Sequence, residues 1–163
     1  MENREKKAPK LSEIQMRELV MPHHSNALGT AFGGTVMSWI DIAAAMCAAK
    51  HCGRDVVTAH VDDIDFLKPI QIGEHVIIKS SMNYAGKTSM IVGVSVMSEN
   101  PYTGERQKTT KAYLTFVALD KNKKPIIVPE LSPETEEEER RFHNAKERRV
   151  AKRELLKRLR SDS

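Results

Sequence analysis

The chain has 163 residues, 40% of them hydrophobic and 29% charged, with a formal charge of +4. That suits one globular domain with an appendage. It excludes a disulfide framework, since there are two cysteines, and a membrane span, since no apolar run reaches the roughly 18 residues a membrane helix needs.

The opening Met1-Glu2-Asn3-Arg4-Glu5-Lys6-Lys7 leads into no apolar signal core, so a cytoplasmic location with reduced thiols is expected. Residues 1–11 are expected to be disordered. A strand is predicted over Glu13–Val20, broken at Pro22, followed by a loop through Ser25-Asn26-Ala27-Leu28-Gly29-Thr30. The pair Gly33-Gly34 then opens a helix for which Gly53 is a natural stop. From Gly33 to Ala49 nothing is ionised except Asp41. The segment is apolar nearly all round, which is the pattern of a buried helix. An unpaired carboxylate in such a place is costly, so Asp41 requires a partner.

Four β-rich runs follow: Asp55–Leu67, closed by Lys68-Pro69; His75–Tyr84; Thr88–Ser98; and Lys108–Leu119. In the third run Met90, Val92, Val94 and Val96 alternate with Ile91, Gly93, Ser95 and Met97, so that strand is central and covered on one side by a helix. A strand, one long helix and then consecutive antiparallel strands is an α+β order, with no alternation of helices and strands that would suggest a doubly wound fold. It predicts a long central helix wrapped by a curved antiparallel sheet over residues 12–130. The sheet covers one side of the helix and leaves the other for a second subunit. After Pro129 large apolar residues become sparse. Glu134 and Glu136–Glu139 precede Arg140, Arg141, Lys146 and further bases, matching the two ends of a helix dipole. Residues 131–163 are read as a charged, largely solvated helical tail and not as a nucleic-acid-binding arm. This tail supplies much of the basic excess.

Chemistry is expected at the helix start. Gly33 and Gly34 permit close backbone approach and leave amides pointing outward, where a helix N-terminus favours developing negative charge. Such donors polarise a carbonyl. Asp41 lies about two turns further in, roughly 10 Å along the axis at ~1.5 Å per residue. It therefore either completes a pocket contributed by a partner chain or hydrogen-bonds a neighbouring strand without catalysing anything. Helix physics leaves both open. His23, His24 and His60 have no acid or thiol at metal-ligand spacing, so no metal site is expected. Cys47 reads as core, not nucleophile. Asp62, Asp63 and Asp65 read as solvated or interface-paired. Gly86-Lys87-Thr88-Ser89 at a hairpin suits a phosphate, and also suits an ordinary turn.

Taken in order, Asn26-x-x-Gly29-Thr30-x-Phe32-Gly33-Gly34-Thr35-Val36-Met37-x-x-x-Asp41, Val57-Thr58-Ala59 and Asp65-Phe66-Leu67-Lys68-Pro69-Ile70-x-x-Gly73 resemble the hotdog-fold acyl-CoA hydrolases. More narrowly, the chain is similar to the bacterial and brain-type cytosolic acyl-CoA thioester hydrolases, whose pattern Gly86-Lys87-Thr88-Ser89 and Thr103-Gly104-Glu105-Arg106 also fit. The resemblance spans about residues 12 to 130. It implies a homodimer that joins its sheets, assembled into a homohexamer as a trimer of dimers. The site then lies between protomers, with Asp41 of one facing Phe32-Gly33-Gly34 of the other. The implied activity is hydrolysis of an acyl-CoA to free acid and coenzyme A, with no further cofactor, no metal, no membrane and no nucleic-acid partner. Asp41 acts as general base or nucleophile, Gly34 contributes an amide, and Asn26 or Thr30 orients water or carbonyl. Some members carry Asn or Asp where this chain has Thr30. Phe32, Gly33, Lys68, Gly86, Lys87, Thr88, Ser89 and Arg106 complete the expected substrate contacts, the last four at the nucleotide end. The competing readings are an acyl-CoA sensor whose tail binds nucleic acid, and a hydratase-type hotdog, which would pair an acid with a helix-start His that this chain lacks.

Overall fold

The computed structural model describes residues 3–162. A two-residue strand β1 (Lys6–Lys7) precedes β2 (Ile14–Leu19), in which alternate residues are sheltered and exposed. The helix α1 (Gly33–Cys52) follows, then β3 (Asp55–Phe66), β4 (His75–Ala85), β5 (Ser89–Glu99) and β6 (Arg106–Leu119). These last five strands form one antiparallel sheet in the order β2-β4-β5-β6-β3, so β5 is central as its two apolar faces predict.

The period of two sorts the strands into faces. Val76, Ile78 and Met82 of β4, Met90, Val92, Val94 and Val96 of β5, and Ala112, Leu114, Phe116 and Ala118 of β6 form the core with α1. The helix contributes Val36, Trp39, Ile40, Ala43, Ala44, Cys47 and Ala48. Its alanines let the backbone come close enough for Ser80 Oγ to donate to the Ala43 carbonyl at 2.8 Å. Gly53 ends the helix in the left-handed region at φ 64°, and its N–H bonds the Ala49 carbonyl at 2.7 Å. The opposite side of α1 has no cover in the protomer: Met37, Ile42 and Met46 remain 41%, 50% and 42% exposed. The apolar surround read from the sequence is thus half met by the sheet. Strand β3, 12 residues long, has an open outer edge and exposed Val57, Val61 and Phe66.

One expectation is corrected. Residues 3–11 are ordered, not disordered: β1 pairs in parallel with β7 (Glu130–Leu131), and Ala8 and Pro9 are buried. Their charges misled because they serve backbone carbonyls. Arg4 donates to Val128 O (Nε, 2.9 Å) and Gly86 O (Nη2, 2.6 Å), and Lys7 Nζ to His51 O at 3.1 Å. Met1 and Glu2 lie outside the described residues.

The tail forms α2 (Glu136–Ser161), capped by Thr135 and Glu138 in a reciprocal capping box. It is charged and largely solvated, as expected, and its inner side docks on the outer face of the sheet, opposite α1. Phe142 meets Tyr84 with ring centroids 5.2 Å apart, Ala145 is buried, Arg148 stacks over Tyr113 at 3.9 Å, and Lys152 Nζ reaches Asp62 at 2.6 Å. Among the described residues no helix is long and apolar enough to cross a membrane.

Candidate active site

The start of α1 is built from a loop that closes on itself. Asn26 Nδ2 donates to Thr30 Oγ1 at 2.9 Å, and Asn26 Oδ1 accepts from the amides of Leu28 (2.9 Å) and Thr30 (3.2 Å). Gly29, at φ 79°, supplies the left-handed residue that this turn needs. Asn26 and Thr30 are therefore one hydrogen-bonded unit. Phe32 is the N-cap residue and no side chain caps the helix. The first amides, those of Gly33 and Gly34, have no partner within the helix. The Phe32 ring folds over this turn. A Cβ on Gly34 would lie 2.5 Å from the ring's Cε1, whereas one on Gly33 would sit in ordinary contact with Phe66 at 3.6 Å. Glycine at 34 is what lets the ring lie there.

Asp41 is half-buried on the uncovered side of α1. Its partner is Thr58 on β3, whose Oγ1 donates to Asp41 Oδ1 at 2.7 Å. Within the protomer Asp41 stays about two turns from Gly34, so the carboxylate and the glycine pair are not brought together by one chain. Thr58 has a place in the sequence pattern but was given no role there. A signal existed. From Gly53 back to Asp41 is roughly 18 Å of helix, which about five residues of a returning strand cover. That places residues near 58 beside the carboxylate.

Lys68 lines a cleft of about 280 Å³ with Gly33, Val36, Phe66, Pro69 and Thr110, beside the helix start. Gly86-Lys87-Thr88-Ser89 forms the β4–β5 turn, as expected. Arg106 lies at the other end of the sheet. Ser89 pairs with Val117 and Glu99 with Arg106, a separation of roughly 33 Å along β5 at ~3.3 Å per residue. One protomer therefore does not place Arg106 beside the turn. Arg106 is instead tied to Glu99, whose carboxyl it holds below the usual range with help from Arg17 at 3.3 Å.

The remaining candidates have structural partners. Cys47 is fully buried, and burial pushes its thiol up to about 11, so it offers no thiolate near neutrality. Asp62 accepts from Thr115 Oγ1 at 2.6 Å and from Lys152, pinning α2. His24 packs edge-on against Trp39. Among the described residues no group of His, Cys, Asp and Glu is arranged to hold a metal ion. A larger polar cleft of about 780 Å³ lies under α2 on the outer face and shares no residue with Asp41 or the helix start.

Comparison with known proteins gives a consistent picture. The thioesterase superfamily profile matches residues 28–105. An acyl-CoA thioester hydrolase of Bacillus subtilis, YkhA, is 44% identical over 158 residues, covering 97% of this chain and 91% of that protein. An apo-hexameric acyl-CoA thioesterase superposes with a TM-score of 0.90 at 39% identity, over 93% of this chain and 97% of that one. An acyl-CoA hydrolase of Staphylococcus aureus, solved with butyryl coenzyme A and coenzyme A, superposes with a TM-score of 0.86 at 37% identity, over 96% and 94%. Alanine variants of that enzyme at an asparagine, an aspartate and a threonine have also been solved. Their positions are spaced 15 and then 17 residues apart. Asn26, Asp41 and Thr58 have the same spacing.

Proposed function

Because the chain belongs to the hotdog-fold acyl-CoA thioesterases of the thioesterase superfamily, we propose that it hydrolyses acyl-CoA thioesters through a site in which Asp41 is the reacting carboxylate. The observation that carries this reading is the Thr58–Asp41 hydrogen bond on an otherwise apolar, uncovered helix face. A carboxylate placed there needs a second protomer to enclose it, and the open helix start offers the complementary half. In the resulting site the unpaired amides of Gly33 and Gly34 of one protomer receive the thioester oxygen and stabilise the charge that develops on it. Asp41 of the other protomer takes a proton from water as water adds to the carbonyl carbon. The C–S bond then breaks, the thiolate of coenzyme A accepts that proton, and the free acid leaves. In the alternative route Asp41 itself adds to the carbonyl carbon and the C–S bond breaks, expelling the coenzyme A thiolate and leaving a mixed anhydride. Water then opens the anhydride, restoring the Asp41 carboxylate, releasing the acid and supplying the proton the thiolate takes up. Single-turnover reaction in heavy-oxygen water separates the two, since label entering Asp41 marks the anhydride route. The Asn26–Thr30 unit orients water or carbonyl beside the helix start.

The assembly proposed is a homodimer joined through the open edge of β3 and built up to a hexamer, as in the hexameric relative. The protein acts in the cytosol and needs no metal or cofactor beyond the coenzyme A of its substrate. A nucleic-acid-binding sensor is not favoured, because Arg140, Arg141 and Lys152 of α2 are already paired with Glu137 and Asp62. A panel of acyl-CoAs of varied chain length tests the proposal. Turnover is expected with wild type and loss of at least about a hundredfold with Asp41→Ala, the scale of removing a general base. Near-normal turnover by Asp41→Ala on every substrate would refute the role of Asp41.

A further inference from the structure

The turn Gly86-Lys87-Thr88-Ser89 is held in an unusual state of satisfaction. Each of its four carbonyls already has a donor from the protein. Arg4 Nη2 binds Gly86 O at 2.6 Å, Val128 N binds Lys87 O at 2.9 Å, Ala118 N binds Thr88 O at 3.2 Å, and Gly86 N binds Ser89 O at 2.8 Å. With each carbonyl directed at a donor within the fold, the groups this turn offers to an approaching anion are the Lys87 ammonium and the hydroxyls of Thr88 and Ser89, all of which can donate.

A second cation is placed against this turn by α2. Arg149 is half-buried, with its guanidinium 5.3 Å from the Tyr84 ring centroid. Its Nη1 lies 2.6 Å from where a Cβ on Gly86 would be, and Ser89 Oγ lies 3.0 Å from the same point. Gly86 thus makes room for the guanidinium, and any side chain there would displace it. The cations of α2 nearest to it in sequence that touch the sheet have other partners. Arg148 has Tyr113, and Lys152 has Asp62. No carboxylate within ion-pair distance of Arg149 is found among the described residues. A guanidinium partly withdrawn from water, within cation–π reach of an aromatic ring and lacking a counter-ion, is matched to a phosphate, which it can bind through two parallel N–H bonds.

We infer that Arg149 is a phosphate-binding residue for the nucleotide end of the substrate, acting with Lys87 and Ser89, and that Arg4 is a positioning residue that fixes the Gly86 carbonyl out of the way. This rests on the thioesterase reading and on the turn meeting the nucleotide. It makes α2, which lies outside the stretch that carries the family resemblance, part of the binding site.

The test uses the full-length protein and two thioesters of the same acyl group, one on coenzyme A and one on pantetheine, which lacks the phosphates. Arg149→Ala is expected to lower kcat/KM for the coenzyme A thioester at least about tenfold, chiefly through KM, the scale of one charge-assisted contact. The pantetheine thioester should be unaffected, and Arg149→Lys should recover part of the loss. Equal losses on both substrates, or no loss on acyl-CoA, overturn the inference. Should Arg149→Ala not fold, Arg149→Gln keeps the stem and removes the charge, with the same expected outcomes. Lys87→Ala is measured alongside. If it abolishes the advantage of acyl-CoA over acyl-pantetheine and Arg149→Ala does not, only the assignment of Arg149 falls. If neither does, the phosphate role of the turn falls too. A chain that hydrolyses neither thioester refutes the enzymatic reading instead, and calorimetric binding of coenzyme A against pantetheine then decides Arg149 on the same criterion.

Discussion

Replacing Thr58 with Val removes one donor and keeps the shape. The lost contact is the 2.7 Å bond from Thr58 Oγ1 to Asp41 Oδ1, close to the short range of O–H bonds to a carboxylate. A hydrogen bond to a charged group contributes about 1.5–3 kcal/mol. At 1.36 kcal/mol per decade of rate, full expression of that energy in the reacting complex corresponds to a loss of roughly 10- to 150-fold in kcat. The bond is present in the resting protein too, so stability should fall by no more than that same amount of about 1.5–3 kcal/mol, Val being otherwise well accommodated in a strand. The assay is thiol release from an acyl-CoA at saturation, run with a thermal melt of the same preparation. Thr58→Ser retains the hydroxyl and should keep most of the rate. Wild-type kcat in Thr58→Val, or equal losses in the Val and Ser variants, would show that this hydrogen bond does not serve the reaction.

Gly34→Ala places a Cβ 2.5 Å from the Phe32 ring. Phe32 is 56% exposed and free to swing outward, and Ala favours a helix over Gly, so the melting temperature should hold or rise while turnover falls at least about tenfold from the displaced ring and crowded amides; unchanged turnover would remove Gly34 from the site. His51 gives a pH dependence. It is fully buried, its Nε2 is 3.0 Å from the Pro129 carbonyl, and burial lowers its pKa from the ordinary 6.5. Between 6.5 and the lower folded value the unfolded chain binds more protons, so this contribution to stability is complete above about pH 6.5 and is lost as pH falls, by at most about 1.4 kcal/mol per unit. Urea unfolding at pH 7 and pH 5.5 should show that decline in wild type and a smaller one in His51→Gln. Equal slopes in the two proteins would assign the pH dependence elsewhere. The carboxyls of Glu99 and Glu137, both lowered by neighbouring arginines, titrate below this window and do not confuse it.

How much of this was legible follows from the range of each interaction. Alternation is local, so the sheet strands and the central place of β5 could be read from Met90 to Met97 alone. The helix and its anomaly were equally local: Gly33-Gly34, Gly53 and one charge among apolar residues. The N-terminus was misread because Arg4 is stabilised by carbonyls 82 and 124 positions away, and composition carries no trace of such partners. The docking of α2 escaped for a related reason. Beside Phe142 on Tyr84 and the buried Ala145, its contacts are Arg148 on Tyr113, Arg149 near Tyr84 and Lys152 on Asp62, polar residues that look like a solvated face unless the aromatic or acidic partner is already in place. Arg106 and the Lys87 turn were grouped because both belong to the family pattern. The antiparallel pairing of β5 with β6 puts them at opposite ends of the sheet.

The exposed apolar surface bears directly on the proposal that the site is shared between protomers. Met37, Ile42 and Met46 on α1 and Val61 on β3 lie on the Asp41–Thr58 side of the protomer, and all are more than a third exposed. Exposed apolar residues grouped on one side of a protomer suit an interface. Covering them withdraws Asp41 from water, which strengthens every electrostatic contact the carboxylate makes. It also removes the solvent that would otherwise compete for the amides of Gly33 and Gly34. On this argument assembly and catalysis are one requirement. A charge on the patch, as in Met46→Glu, lies more than one turn from Asp41 and touches neither half of the reacting machinery. It should nonetheless abolish turnover in proportion to the monomer it produces. Full activity in a protein that light scattering shows to be monomeric would refute a shared site.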